Sequence, residues 1–269
     1  MPQAITSTVV VPAYKENPNV RPLTERLFKA LKDHDMEKTT ELLFVDDNSR
    51  DGTVETVAKL AEEGYNVRVI VRTEERGLSS AVMRGFDEGR GSALVCMDGD
   101  LQHPPEKAPL MLKALHDNND FVLGTRYGEG FAVDKDWPWY RVIISKGARL
   151  LARPLTPLSD PMSGFFGISK GALKRGRDKI STVGFKIGLE LYVKCDCSDY
   201  AEVQIFFAKR EHGESKLTGK VMVYYLIHLE QLYRFRYPLL LPALLLLALL
   251  TLYFLASFLL SSHPKIRKE

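Results

Sequence analysis

Short apolar runs alternate with amphipathic stretches along the first half of the chain, and each pair reads as a strand followed by a helix. Thr8-Val9-Val10-Val11 is β-branched and apolar, breaks at Pro12-Ala13-Tyr14-Lys15-Glu16-Asn17-Pro18, and gives way to a helical pattern from about Val20 to Lys32. Glu41 to Val45 predicts a second strand and Thr53 to Glu63 its helix. Val67 to Val71 with Leu78 to Gly89, then Ala93 to Met97 with Pro105 to Asn118, repeat the unit. Asp120 to Gly124 adds a short strand, a helix is expected around Leu189 to Lys194, and a strand around Val203 to Phe207. Strands with so little polar alternation are covered on both faces. The repeated alternation predicts an α/β fold built on a mostly parallel, doubly wound sheet.

The pattern changes after residue 220. Val221 to Tyr237 mixes Tyr224, Tyr225, Tyr233, Phe235 and Tyr237 with Arg234 and Arg236, which suits a helix at a lipid interface. Leu239 to Leu260 then runs 22 residues without a charge, about 33 Å as a helix at ~1.5 Å per residue. A hydrocarbon core of about 30 Å makes that one transmembrane span. The expected organisation is therefore a catalytic domain over 1–219, an interfacial helix over 220–238, a transmembrane helix over 239–260 and a short basic tail over 261–269. Basic residues flank both ends of the span, so their charge does not set its direction. Met1 to Ser7 leads into a strand without a charged-then-apolar leader, so residues 1 to about 220 are expected in the cytosol.

Charge is divided unevenly. Residues 1 to 140 hold 17 Lys and Arg against 24 Asp and Glu, a net −7, and residues 141 to 269 hold 20 against 10, a net +10. The first part suits a cation, the second suits phosphates or an anionic surface. Cys96, Cys195 and Cys197 give neither an even disulfide framework nor a zinc pattern, so reduced thiols are expected.

Candidate chemistry gathers where strands end, the place ligands bind in open α/β sheets. Ala93 to Met97 delivers Asp98-Gly99-Asp100-Leu101-Gln102-His103-Pro104. Residues two apart on a straight strand face opposite ways, so Asp98 and Asp100 share one ion only if the chain bends, which Gly99 would permit. With the Gln102 amide they would form a set of hard oxygen ligands for Mg2+ or Mn2+. The competing reading is a turn whose acids cap the following helix. Asp46 and Asp47 end the second strand and suit a ribose or a base edge, unless they cap the helix after Asp51-Gly52. No glycine-rich dinucleotide motif follows the first strand and no P-loop occurs, so diphosphate charge must be met by a metal and by side chains. Residues 141 to 179 supply nine Lys and Arg against two acids. Arg141, Ser145 and Arg149 are spaced by four, which puts a guanidinium and a hydroxyl on one helical face as a phosphate clamp. Arg126 sits at another strand end, and Arg210 and Lys216 surround Gly213 in a second anion-gripping loop. Gly128 to Asp136 with Trp137-Pro138-Trp139-Tyr140 could form a lid, although aromatic clusters are more often core.

As a set, Val11-Pro12-Ala13-Tyr14-Lys15-Glu16, Val45-Asp46-Asp47-Asn48-Ser49-Arg50-Asp51-Gly52-Thr53, Asp98-Gly99-Asp100-Leu101-Gln102-His103-Pro104, Gly124-Thr125-Arg126-Tyr127, Ser163-Gly164-Phe165 and Gly213-Glu214-Ser215-Lys216 resemble the family-2 glycosyltransferases, in order, over residues 5 to about 220. The resemblance implies a GT-A fold, a Rossmann-like sheet with helices on both faces. It also implies metal-dependent, inverting transfer of mannose from GDP-mannose to dolichyl phosphate, supplying mannose for glycosylation and GPI anchors at the endoplasmic reticulum membrane. By the same resemblance Pro12, Tyr14, Glu16, Val45 and Asp47 would hold the guanosine, and Met97, Asp98 and Gly99 would lie by the ribose and diphosphate. Asp98, Asp100 and Gln102 would bind Mg2+ or Mn2+. Arg126, Arg141, Ser145, Arg210 and Lys216 would contact phosphates, with Asp100, Arg126 and Arg210 the catalytic residues. Pro-Ala-Tyr-Lys-Glu, Asp-Asp-Asn-Ser and Asp-Gly-Asp stand where relatives often carry Pro-Thr-Tyr-Asn-Glu, Asp-Asp-Gly-Ser and Asp-Ala-Asp, changes that spare the ligand-bearing positions. The expected partners are GDP-mannose, dolichyl phosphate and the bilayer, with no nucleic acid and no obligate protein. Two readings compete: the same chemistry with UDP-glucose as donor, and a catalytically silent, membrane-anchored nucleotide-binding subunit.

Overall fold

A computed structural model describes residues 3–127, 147–181, 186–206 and 219–261. Strands β1 (Ser7–Ala13), β2 (Thr40–Asp46), β3 (Val67–Val71), β4 (Ala93–Cys96), β5 (Phe121–Thr125), β6 (Phe166–Ser169) and β7 (Tyr200–Gln204) form one seven-stranded sheet in the order β3-β2-β1-β4-β6-β5-β7. β1 pairs in parallel with β2 and β4, β2 with β3, and β5 with β7. β6 enters antiparallel between β4 and β5. Strand order reverses at β1 and β4, and the crevice beyond their carboxyl ends is where such sheets bind ligands.

The apolar strands are explained by cover on both sides. Val10, Leu43 and Cys96 pack into one cluster with Phe86 and Phe166, while Val9, Val11, Leu42 and Phe44 point the other way into a second. On the second face lie α1 (Asn17–Asp33), α2 (Thr53–Glu62) and α4 (Ala108–His116). On the first lie α3 (Leu78–Glu88), α5 (Lys170–Gly176), α6 (Ile187–Lys194) and α7 (Gly219–Arg236). The strand expected around Val203 to Phe207 lies three residues earlier, aligned with β5 from Phe121–Tyr200 to Thr125–Gln204. β6 and α5 are additions that the hydrophobic pattern did not separate from the surrounding loop.

Cys96, Cys195 and Cys197 are free and buried. α7 packs on α6 through Leu229 and Leu232, and its tyrosines reach back to the segment at 147–155. Tyr225 Oη donates to Ala148 O at 2.8 Å, Tyr233 Oη to Leu151 O at 2.8 Å, and Tyr237 Oη to Pro154 O at 2.6 Å. The next helix, α8 (Leu240–Ser261), covers the stretch expected to span a membrane. Among the described residues, however, no helix is long and apolar enough to cross one.

Candidate active site

The carboxyl ends of β1, β2 and β4 share an unusual backbone. Lys15 (φ 61°), Asn48 (φ 56°) and Leu101 (φ 61°) all take the left-handed conformation, and non-glycine residues held there cluster at functional sites. Leu101 is 4% exposed and packs into the core cluster with Val11, Met97 and Phe165. Burying a leucine contributes about 1.5–3 kcal/mol, enough to offset the ~1–2 kcal/mol of a left-handed backbone. The acid loop turns at Gly99 and Asp100, as expected, and continues through the left-handed Leu101. A Cβ on Gly99 would press Val11 Cγ1 at 3.3 Å and meet Glu16 Cγ in ordinary contact at 3.6 Å.

Asp98 and Asp100 stand beyond β4 in different surroundings. The Asp98 side chain is 38% exposed, its backbone N–H donates to His103 Nδ1 at 3.0 Å, and its Oδ2 lies 3.6 Å from that nitrogen. The proton of the neutral ring therefore sits on Nε2. Burial lowers the His103 imidazole below its ordinary value, against the opposing pull of Asp98 and Asp100. Asp100 is buried, and its Oδ1 accepts from Gln102 N at 3.2 Å. Neither acid caps the following helix.

The Ser163-Gly164-Phe165 motif closes over these acids. A Cβ on Gly164 would come within 3.3 Å of Asp98 Oδ2 and 3.2 Å of His103 Cε1. Ser163 Oγ donates to Gly124 O at 2.6 Å, and Gly124 N to Phe165 O at 2.7 Å, which locks the motif to the end of β5. Arg126 follows directly. Its Nε and NH2 donate to Asp160 at 2.7 and 2.9 Å, and this bidentate pair keeps the guanidinium pKa raised despite burial. Lys186, just before α6, donates from Nζ to Met162 O at 2.8 Å and lines a recess with Asp98, Ser163 and Gly164.

Beyond the end of β1, Tyr14 is 40% exposed, with Lys15 Nζ 5.5 Å and Arg76 Cζ 5.6 Å from its ring centre. Asp47 is bracketed, taking Arg72 Nε at 2.7 Å and Gly77 N at 2.9 Å. That bracket ties the end of β2 to the turn before α3. Asp46 binds Ser49 N at 2.9 Å, and Asp51, with Thr53 N at 3.1 Å, orders the start of α2. Neither Asp46 nor Asp47 caps α2. Glu16 Oε2 accepts from Asn19 at 2.7 Å. Val45 is wholly buried in the core, so its side chain is packing rather than ligand, and Met97 is equally buried. Pro12 lies on β1 between them and Tyr14.

Of the residues expected at the site, Pro12, Tyr14, Glu16, Val45, Asp47, Met97, Asp98, Gly99, Asp100 and Gln102 fall along the neighbouring ends of β1, β2 and β4, and Arg126 follows β5, one strand further across β6. Arg141, Ser145, Arg210 and Lys216, with the expected lid from Gly128 to Tyr140, lie outside the described residues. Asp160, Lys186 and Arg72 had no assigned role. Asp160 leads directly into Ser163-Gly164-Phe165, and Lys186 is a lone cation before an apolar helix, so each left a faint trace in the sequence.

No group of three or more His, Cys, Asp or Glu that could hold a metal occurs among the described residues. Asp98, Asp100 and the Gln102 amide nevertheless fit a divalent ion by donor chemistry, since all offer hard oxygens. Charge points the same way: among the described residues the carboxylates of Asp98, Asp100 and Asp160 outnumber the cations Arg126 and Lys186, an excess of negative charge that a divalent ion would reverse.

Comparison with known proteins places this geometry. Over 234 residues, 86% of this chain and 80% of its own length, a dolichol-phosphate mannosyltransferase of Mycosarcoma maydis is 58% identical. One of Saccharomyces cerevisiae is 54% identical over 240 residues, 87% of this chain and 89% of its own. Glucosyl-3-phosphoglycerate synthase from Mycobacterium tuberculosis, solved with Mn2+, UDP and phosphoglyceric acid, superposes with a TM-score of 0.57 at 21% identity, over 84% of this chain and 78% of that one. It shares the α/β, GT-A-like fold. Residues 8–177 match the profile of Glycosyl transferase family 2, and the chain belongs to that family.

Proposed function

We propose that the chain transfers mannose from GDP-mannose to dolichyl phosphate, releasing GDP and inverting the anomeric carbon. The observation that carries this reading is the 58% and 54% identity to two dolichol-phosphate mannosyltransferases over most of the chain. The site's chemistry supports it. A phosphate monoester with a second pKa of roughly 6 is largely dianionic at neutral pH, so the acceptor needs no general base. Its oxygen attacks the anomeric carbon while the bond to GDP breaks and the electron pair leaves with the diphosphate. Mg2+ or Mn2+ held by Asp98, Asp100 and Gln102 would neutralise the charge developing on that diphosphate. Tyr14 and Asp47 border the nucleotide, and Asp98 and Gly99 the ribose and diphosphate. Arg126, with Arg141, Ser145, Arg210 and Lys216, holds phosphate against phosphate, so catalysis is positioning and electrostatics.

The membrane belongs to the same reading. A polyprenyl acceptor stays in the bilayer, and the uncharged stretch Leu239 to Leu260 is long enough to anchor the enzyme there once, with α7 at the interface and the catalytic domain facing the cytosol at the endoplasmic reticulum.

The test is transfer from radiolabelled GDP-mannose to dolichyl phosphate by the detergent-purified chain, with Mg2+ or EDTA and with UDP-glucose in parallel. Metal-dependent mannolipid is expected. Glucolipid overturns the donor, and nucleotide binding without either product establishes a silent subunit.

A further inference from the structure

The loop from Asp160 to Gly164 holds two cations at once. Its first residue grips Arg126 with both carboxylate oxygens, and Met162 O takes the Lys186 ammonium at 2.8 Å. The same loop presses Gly164 against Asp98, so both cations hang beside the acid loop. His103 feels the charges of Asp98, Asp100, Arg126 and Lys186 together, which makes these groups one electrostatic neighbourhood.

We infer that Lys186 is a catalytic residue, its ammonium gripping the acceptor's phosphate alongside Arg126; this rests on the proposed transfer to a phosphate monoester. An ammonium carries three donors, and Met162 O takes one of them. Asp160 is already committed to Arg126 in a bidentate pair, so it is a poor counter-ion for a second cation. Burial and the nearby Arg126 charge both push the Lys186 ammonium below its ordinary value, while Asp98 and Asp160 pull it back. Met162 O takes only one of the ammonium's donors, and a phosphate dianion seated beside the Arg126–Asp160 pair can accept from both cations. The carbonyl contact fixes the lysine without neutralising it. Lys186 lines a recess with Asp98, Ser163 and Gly164, and the loop that holds it also carries the partner of Arg126, the guanidinium proposed to meet the acceptor phosphate; that shared loop assigns Lys186 to the acceptor.

The experiment separates binding from turnover. Lys186→Met and Lys186→Gln are made in the full chain in detergent. Farnesyl phosphate binding is followed by phosphorus NMR, GDP binding with Mg2+ by calorimetry, and mannose transfer by acceptor kinetics. Folded variants should bind farnesyl phosphate about 10- to 100-fold more weakly, the loss of one charge-assisted hydrogen bond, and bind GDP within about twofold of the unchanged chain. Unaltered farnesyl phosphate binding overturns the inference, and an equal loss of GDP binding moves Lys186 to the donor and overturns it as well. Should neither variant fold, Lys186→Arg is read the same way, since a guanidinium keeps the charge but not the compact contact. Wild-type chain that binds the prenyl phosphate through Lys186 yet makes no mannolipid overturns the transfer reading alone.

Discussion

The two halves of the site are built on different principles. On the proposed nucleotide side the charged groups are fixed at the ends of the strands: Asp47 is held by Arg72 and Gly77, and Asp98 and Asp100 stand on the turn at Gly99 and Asp100 that runs into Leu101. On the proposed acceptor side Arg126 and Lys186 sit on loop ends, and both depend on the single loop from Asp160 to Gly164. The proposed donor half is held by strand-end turns and by polar contacts closed within the protein, whereas the proposed acceptor half is held by polar contacts that a phosphate can share. A defect in the first should abolish chemistry outright. A defect in the second should appear first as weakened acceptor use.

Asp100→Ala tests that difference most severely. Metal-dependent transfer should fall on the order of a thousandfold, measured as mannolipid formed with Mg2+ against EDTA; retained metal dependence would remove Asp100 from the site. Asp160→Asn comes next. It leaves a partly buried Arg126 without its counter-charge, so kcat/KM for dolichyl phosphate should fall about 10- to 100-fold. Urea unfolding should show about 1–3 kcal/mol of lost stability, below the full cost of a broken buried pair because Arg126 is partly exposed. Unchanged acceptor kinetics in a destabilised variant would make Asp160 purely structural. Arg210→Ala should raise the KM for dolichyl phosphate about tenfold and leave GDP affinity alone; equal losses in both would count against the division.

The smallest effect lies in the packing that supports the acceptor half. Burial pushes the Glu190 carboxyl up, but His228, Lys194 and the Ser181 N–H together hold it below its ordinary value. A depressed folded pKa gives stability that is present above the unfolded value near ~4.3 and is lost as pH falls through the folded one. Urea midpoints should therefore drop between about pH 5 and pH 3, and Glu190→Gln should flatten that part of the curve.

How much of this was legible follows the same division. The strands of the donor half announce themselves because both sheet faces are buried, and Asp98, Asp100, Asp47 and Tyr14 stand where the apolar runs stop. The acceptor half is assembled from distant stretches. Arg126 meets Asp160, and Lys186 meets Met162, only because β6 inserts antiparallel between β4 and β5. No local periodicity encodes that insertion, so Asp160 and Lys186 stayed without a role. Val45 shows the converse: a motif position at a strand end whose side chain serves the core.

Leu101 bears on how natural variants of such an enzyme are to be read. Its side chain is purely aliphatic and buried in the core, and its exchange for another aliphatic residue or for glycine would pass as conservative or even relaxing. Yet its buried side chain holds the loop that aims both carboxylates, so the inheritance of catalytic geometry runs through a residue with no polar atom in its side chain. Variants at position 101 should therefore be judged by turnover, because a normal melting temperature would certify a fold whose acids no longer converge.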